Sequence, residues 1–175
     1  AFNGNDWKIL ANSGLAKMTG MGRYAITFCE NHDTEYRSAQ APQDPITKNI
    51  AAANAYILLI NGTPCVFLKH WKDYKSEIKQ LIYARQLAGI TNDGSRYIAQ
   101  STQTNFSALR TTNNNNCDVI TAFGNGYTAP AGYTKILSGE NYQVYMDNKA
   151  ESPWISIPSG EYEGKIEPVL TAIST

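Results

Sequence analysis

Tyr24-Ala25-Ile26-Thr27-Phe28-Cys29, followed at once by Glu30-Asn31-His32-Asp33-Thr34, is the stretch whose reading decides the fold. Its first six residues are apolar and β-prone, and they end abruptly in a polar string running from Glu30 to Arg37. A buried parallel strand feeding a loop has that form. Beyond the loop, Asp44 and Pro45 supply an N-cap and an N1 proline. Ile46, Ile50, Ala53, Ile57 and Ile60 then recur at helical spacing, and Gly62 stands at the stop. After Pro64 a second apolar run, Cys65 to Leu68, gives way to Lys69-His70-Trp71-Lys72-Asp73 and reads as the next parallel strand. Asp73 or Ser76 can cap a further helix whose apolar face is Ile78, Leu81, Ile82 and Leu87, with Gly89 ending it. Strand and helix thus alternate as in βα units of a parallel sheet. Upstream, Trp7 to Met18 is expected to form part of an earlier helix, interrupted by Gly14.

From Ser95 onward the pattern changes. Short runs such as Arg96 to Ala99, Val119 to Phe123, Tyr142 to Met146 and Trp154 to Ile157 alternate with Gly, Asn, Ser and Pro clusters, which predicts an antiparallel β module. Thr111 to Asn116 reads as a polar hairpin loop. Two organisational units follow: residues 1–92 with βα character, and 93–175 with antiparallel β character.

Composition narrows the partners. Lys plus Arg and Asp plus Glu number 15 each among 175 residues, so there is no basic field for nucleic acid or an anionic membrane. A neutral ligand such as a sugar suits that balance. The longest apolar run, Ala51 to Ile60, is broken by Asn54 and is too short to cross a bilayer. The opening residues lack a start methionine and the layout of a signal peptide, so the chain is expected to begin mid-protein. Cys29, Cys65 and Cys117 are too few and too widely spaced for a disulfide framework or a metal knuckle, which leaves buried free thiols as the expectation.

The two histidines, His32 and His70, each follow a predicted strand. In a parallel barrel the loops after the strands converge on one mouth, so His32, His70 and the carboxylates Glu30, Asp33 and Glu35 become candidate ligand contacts.

Phe28-Cys29-Glu30-Asn31-His32-Asp33-Thr34 resembles the last signature motif of the α-amylase family, written F-V-x-N-H-D. The surroundings agree with it. Asn54-Ala55-Tyr56-Ile57-Leu58 and Gly62-Thr63-Pro64-Cys65-Val66-Phe67 are similar to the helix and eighth strand that follow this motif. Ile78 to Ile90, with Arg85 and Gly89-Ile90, resembles the last barrel helix, and Ser95 to Asn148 is similar to the C-terminal sheet of plant-type α-amylases. Residues 149–175 have no counterpart. The resemblance implies the last βα units of a TIM (β/α)8 barrel over residues 1–92, followed by a small antiparallel β domain over 93–175.

It also implies roles. Asp33 becomes the catalytic carboxylate that favours the positively charged transition state at the cleavage subsite, and His32 a hydrogen-bond partner of that sugar. Glu30 and His70 become candidate further sugar contacts, and Asn31 a residue that shapes the turn. The substrate would be an α-1,4-glucan, oligomeric or polymeric, cleaved with retention. Retention needs a nucleophile and an acid/base about 5–5.5 Å apart. The family's nucleophile motif G-x-R-x-D has no match, because Gly22-Arg23-Tyr24 lacks the spacing and the Asp. No Glu-bearing strand precedes the motif either. The isolated chain is therefore expected to be inactive, and to associate with the missing N-terminal part of the barrel or with itself through an uncovered sheet edge. No cofactor is expected within these residues. Calcium, which commonly stabilises such enzymes, would be bound by the part of the barrel outside them.

Two other readings use the same residues. His32, Asp33 and His70 offer the ligand types of a two-histidine, one-carboxylate metal site. Tyr127, Tyr133, Tyr142, Tyr145, Trp154 and Tyr162 could present sugar-stacking platforms on a non-catalytic binding module. The motif is shared by transglycosylases and debranching enzymes of the same family. Because starch is usually degraded outside the cytoplasm, and the chain is rich in Asn, Thr and Tyr, an extracytoplasmic location is expected.

Overall fold

A computed structural model describes residues 1–147, apart from residues 13, 37, 41–42, 104–105 and 113–117. Cys117, residues 113–116 of the predicted Thr111 to Asn116 loop, the predicted run Trp154 to Ile157 and Tyr162 lie outside the described residues, whereas Thr111 and Thr112 belong to a strand rather than to that loop.

The parallel pair is present, with its strands shorter than the apolar runs. Strand β1 covers Ile26–Thr27 and β2 covers Thr63–Pro64, paired in parallel with Ile26 opposite Thr63. Hydrogen bonds from Thr63 N–H to Ala25 O and from Cys65 N–H to Thr27 O, each 2.8 Å, carry the ladder one step further. The predicted strand bounds, Tyr24 to Cys29 and Cys65 to Leu68, are corrected accordingly. A ladder exists only opposite a partner; Gly22–Tyr24 forms a 3-10 turn, and Leu68 already begins a helix.

Helix α1, Ile50–Leu58, connects the two strands. It does not start at Asp44 and Pro45 as predicted. Asn49 takes left-handed dihedrals, φ 56 and ψ 36, which an α-helix cannot pass through. The amides before it are satisfied from outside the segment: Ile46 N–H donates to Glu30 Oε1, and Thr47 N–H and Lys48 N–H donate to Asn3 Oδ1. Ala52, Ala53, Asn54, Ala55, Ile57 and Leu58 are all buried, which marks a helix covered on nearly every side.

The predicted last helix is present as α3 over Lys75–Leu87, and a further helix, α2 over Leu68–Asp73, stands where a strand end and loop were expected. They break at Tyr74, φ −128 and ψ 36, and neither Asp73 nor Ser76 caps α3 through its side chain. His70 therefore lies in a helix and not in a loop after a strand. On α3, Ile78, Leu81 and Ala84 are fully buried while Ile82 and Leu87 are partly buried. Gly89, φ +65, supplies the left-handed residue just past the helix end, as expected. The upstream helix is replaced by two 3-10 segments, Trp7–Asn12 and Leu15–Lys17, separated at Gly14, φ 82.

The second half is a five-stranded antiparallel sheet. Its strands are β3 (Ser95–Gln103), β4 (Phe106–Thr112), β5 (Val119–Gly124), β6 (Tyr133–Gly139) and β7 (Tyr142–Asp147), in the order β3-β4-β5-β7-β6. One apolar core joins the sheet to the helices. Trp7 stacks on Phe123 of β5 at 6.3 Å, and Tyr56 of α1 meets Phe123 edge-on at 6.0 Å. Two polar ties cross the same seam: a buried one in which Thr111 Oγ1 donates to Leu59 O at 2.7 Å, and a partly buried one in which Asn141 Nδ2 donates to Asn49 Oδ1 at 2.7 Å. No helix among the described residues is long and apolar enough to cross a membrane.

Candidate functional site

Alternation along β1 sorts its side chains. Ala25 and Thr27 are buried, and Thr27 Oγ1 donates to Ile57 O of α1 at 3.0 Å. Tyr24, Ile26 and Phe28 on the other face are exposed, as is Leu68 at the start of α2. Ile26, Phe28, Val66, Phe67 and Leu68 line an apolar cleft that reaches Asn31 and His32.

Asn31 builds the turn at the carboxyl end of β1. Its Oδ1 accepts Asp33 N–H at 2.9 Å and Thr34 N–H at 3.1 Å, while its own N–H donates to Thr34 Oγ1 at 3.1 Å. This is an Asx turn closed from both sides, and it is why Asn occupies the position. It projects the next two side chains outward: His32 is 79% exposed and Asp33 68% exposed, with Nε2 and Oδ1 3.4 Å apart.

Glu30 and His70 are placed differently. Both are interior, 5% and 2% exposed. His70 Nε2 lies 2.8 Å from Glu30 Oε2, and Glu30 Oε1 accepts Ile46 N–H at 2.8 Å. His70 Nδ1 is 3.3 Å from Asn54 Nδ2 and 3.7 Å from Cys29 Sγ. Their polar atoms thus face one another, and Glu30 also lines the cleft that reaches Asn31 and His32. The same placement removes His70 from the trio proposed as a metal site. Among the described residues, no three His, Cys, Asp or Glu side chains converge in a way that could hold an ion.

Of the described tyrosines proposed as stacking platforms, Tyr142 and Tyr145 are buried, and Tyr127 packs edge-on against Tyr145 at 5.9 Å. Tyr127 and Tyr133 are half-buried. Asn54 and Asn3, which join loop and helix, were not singled out from the sequence as site residues. A polar residue inside an otherwise apolar helix was the available signal for Asn54.

Cys29 is partly buried and Cys65 is exposed. Burial, aided by the charge of Glu30, pushes the Cys29 thiol from 9.0 up to about 12. A group raised in the folded state favours folding below its unfolded value and loses that contribution as pH climbs towards the folded one, here from about 9 to about 12. Alkylation at pH 8, read by peptide mass mapping, is expected to label Cys65 at the rate of a free thiol and Cys29 at least about 100-fold more slowly. Equal labelling would show that the thiol is not sequestered beside His70.

No family model matches the chain. Curated proteins do. A glucan 1,4-alpha-maltotetraohydrolase of Stutzerimonas stutzeri is 33% identical over 135 residues, covering 69% of this chain and 23% of that protein. An alpha-amylase type B isozyme of Hordeum vulgare is 29% identical over 153 residues, covering 83% of this chain and 95% of that sequence. A probable alpha-amylase 2 of Arabidopsis thaliana is 28% identical over 127 residues, covering 69% of this chain and 29% of that protein. The chain therefore spans about a quarter of the length of the maltotetraohydrolase it matches.

Proposed function

We propose, because the chain belongs to the α-amylase family, that it forms one wall of a site hydrolysing α-1,4-glucosidic bonds in starch-like glucans with retention. In this reading residues 1–92 supply the last βα units of a (β/α)8 barrel, and the strands described from Ser95 to Asp147 belong to the attached β domain. The observation that carries this reading is the exposed His32-Asp33 pair at the carboxyl end of β1, above an uncovered apolar face. In a barrel, loops at the carboxyl ends form the active-site mouth, and alternate strand residues fill the interior. Tyr24, Ile26 and Phe28 would be such interior residues.

In this role Asp33 binds the sugar at the cleavage subsite and stabilises the oxocarbenium-like transition state by its charge, while His32 hydrogen-bonds the same sugar. The nucleophile and the acid/base come from strands outside these residues. Calcium, where the complete enzyme carries it, would be held by residues outside this chain. Among the described residues no group of three His, Cys, Asp or Glu is placed to hold an ion. The enzyme works outside the cytoplasm, where starch polymers are met.

Two outcomes test the reading. The 175-residue polypeptide alone is expected to release no reducing sugar from soluble starch. The same residues joined to a G-x-R-x-D strand and a Glu-bearing strand are expected to release it. Hydrolysis by the short polypeptide would overturn the division of labour. Gel filtration of the short form is expected to show self-association through the Tyr24, Ile26, Phe28 and Leu68 face, and a strict monomer that binds no hydrophobic dye would contradict it.

A further inference from the structure

The buried Glu30 carboxylate has two donors from two separate parts of the chain. Oε1 takes Ile46 N–H and Oε2 takes His70 Nε2, each at 2.8 Å. Glu30 and Ile46, which flank the stretch that carries His32 and Asp33, are thus tied to each other through one side chain. His70 comes from α2, beyond the neighbouring strand β2, and its other nitrogen faces Asn54 of α1. Asn54 Nδ2 also donates to Ile50 O at 2.9 Å, so one amide nitrogen can serve both acceptors with its two hydrogens. With Nδ1 accepting, the ring proton sits on Nε2 and is donated to Glu30, an assignment made from the network. The Phe67 ring stands edge-on to the imidazole at 5.5 Å and helps keep it dry.

We infer that Glu30 and His70 are positioning residues for Asp33: the buried pair pins the neck of the loop, and through the adjacent Asn31 turn it sets where the Asp33 carboxylate stands. The inference rests on the proposed role of Asp33. Asn31 follows Glu30 directly and holds Asp33 N–H at 2.9 Å, so a shift at the pin is passed on within three residues. A misplacement of about 1 Å in a reacting group can cost on the order of a hundredfold in rate. Loss of a buried supporting partner in a site commonly costs about 10–100-fold.

The test uses the whole enzyme that carries these residues, assayed on a maltooligosaccharide at matched folded fraction by circular dichroism. His70→Leu removes the donor to Glu30, Glu30→Gln leaves one of the two donors facing an amide, and His70→Gln keeps a donor at the site. His70→Leu and Glu30→Gln are expected to lower kcat about 10–100-fold with KM within about threefold. They should weaken a cationic, flattened-ring inhibitor in proportion to kcat/KM. His70→Gln is expected to restore kcat to within about threefold. A kcat within threefold for His70→Leu, a loss carried by KM, or a His70→Gln variant as slow as His70→Leu would each overturn the inference. If His70→Leu does not fold, His70→Gln decides, with near-normal kcat supporting a positioning role and a 10–100-fold deficit refuting it. Failure of both to fold would make the pair purely structural. Asp33→Asn run alongside separates the two readings: if it keeps full activity the proposed function fails, whereas a dead Asp33→Asn with normal pair variants sinks only the positioning role.

Discussion

Asp33→Asn in the complete enzyme is expected to lower kcat on an α-1,4-glucan by about a thousandfold, with a much smaller change in KM. Asparagine keeps the volume and one carbonyl acceptor, so contacts to sugar hydroxyls in the ground state largely survive. What disappears is the negative charge facing a centre that becomes positive only at the transition state, and an interaction made only there acts on kcat. The exposure of Asp33 in this structure sharpens the expectation. A carboxylate 68% open to water exerts a weak, screened field. In the proposed role, beneath a bound glucan and with the rest of a barrel mouth around it, the same group would work in a lower dielectric and count for far more. Steady-state kinetics by reducing-sugar release would decide, and a kcat within tenfold of the parent would remove Asp33 from the catalytic machinery.

Arg85→Leu is expected to destabilise the fold by about 3–5 kcal/mol, measured from the urea midpoint at constant slope. Its Nη1 donates to Leu58 O at 2.6 Å and Ile60 O at 2.7 Å, and Nη2 donates to Gly62 O at 2.8 Å. These carbonyls belong to the end of α1 and the turn that leads into β2. A helix end leaves its last carbonyls without intrahelical partners and carries partial negative charge, so a planar cation with several donors matches it in charge and geometry. Burial lowers the guanidinium to about 10, which leaves it charged at neutral pH. Leucine fills part of the space but leaves three carbonyls to find water. The partial exposure of Arg85 lets some of them do so, which caps the loss below the sum of three charge-assisted bonds. Lysine at the position should recover a minority of the loss, since a single ammonium cannot span all three acceptors. A change under 1 kcal/mol for Arg85→Leu would mean that water replaces the guanidinium without cost.

The motif was legible because its chemistry is local. Asn31 followed by His32, Asp33 and Thr34 closes its own turn through side-chain-to-backbone bonds two and three residues apart, and such a turn forms wherever the string is placed on a strand end. The parallel order of β1, α1 and β2 was legible from apolar runs and stop signals. Element boundaries were not. The start of α1 moved to Ile50 because Asn3 and Glu30, 44 and 16 residues away from their partners, hold the amides before it. The lengths of β1 and β2 depend on which strand lies opposite, and that is absent from the local pattern. Of the antiparallel sheet, Val119 to Phe123 and Tyr142 to Met146 matched β5 and β7 closely, while β4 and β6 came only with the fold.

The sequence by itself determined the family, the Asn31 turn that carries His32 and Asp33, and the alternation of elements, because each rests on neighbours within a few residues. Only the tertiary structure decided what Glu30 and His70 do. In the string they are polar residues after apolar runs, with the same standing as His32 and Asp33. Forty residues apart, they meet because β1 and β2 pair in parallel and α2 follows β2 within a few residues. Burial then makes a carboxylate and an imidazole each other's partners, since neither can stay in the interior without one.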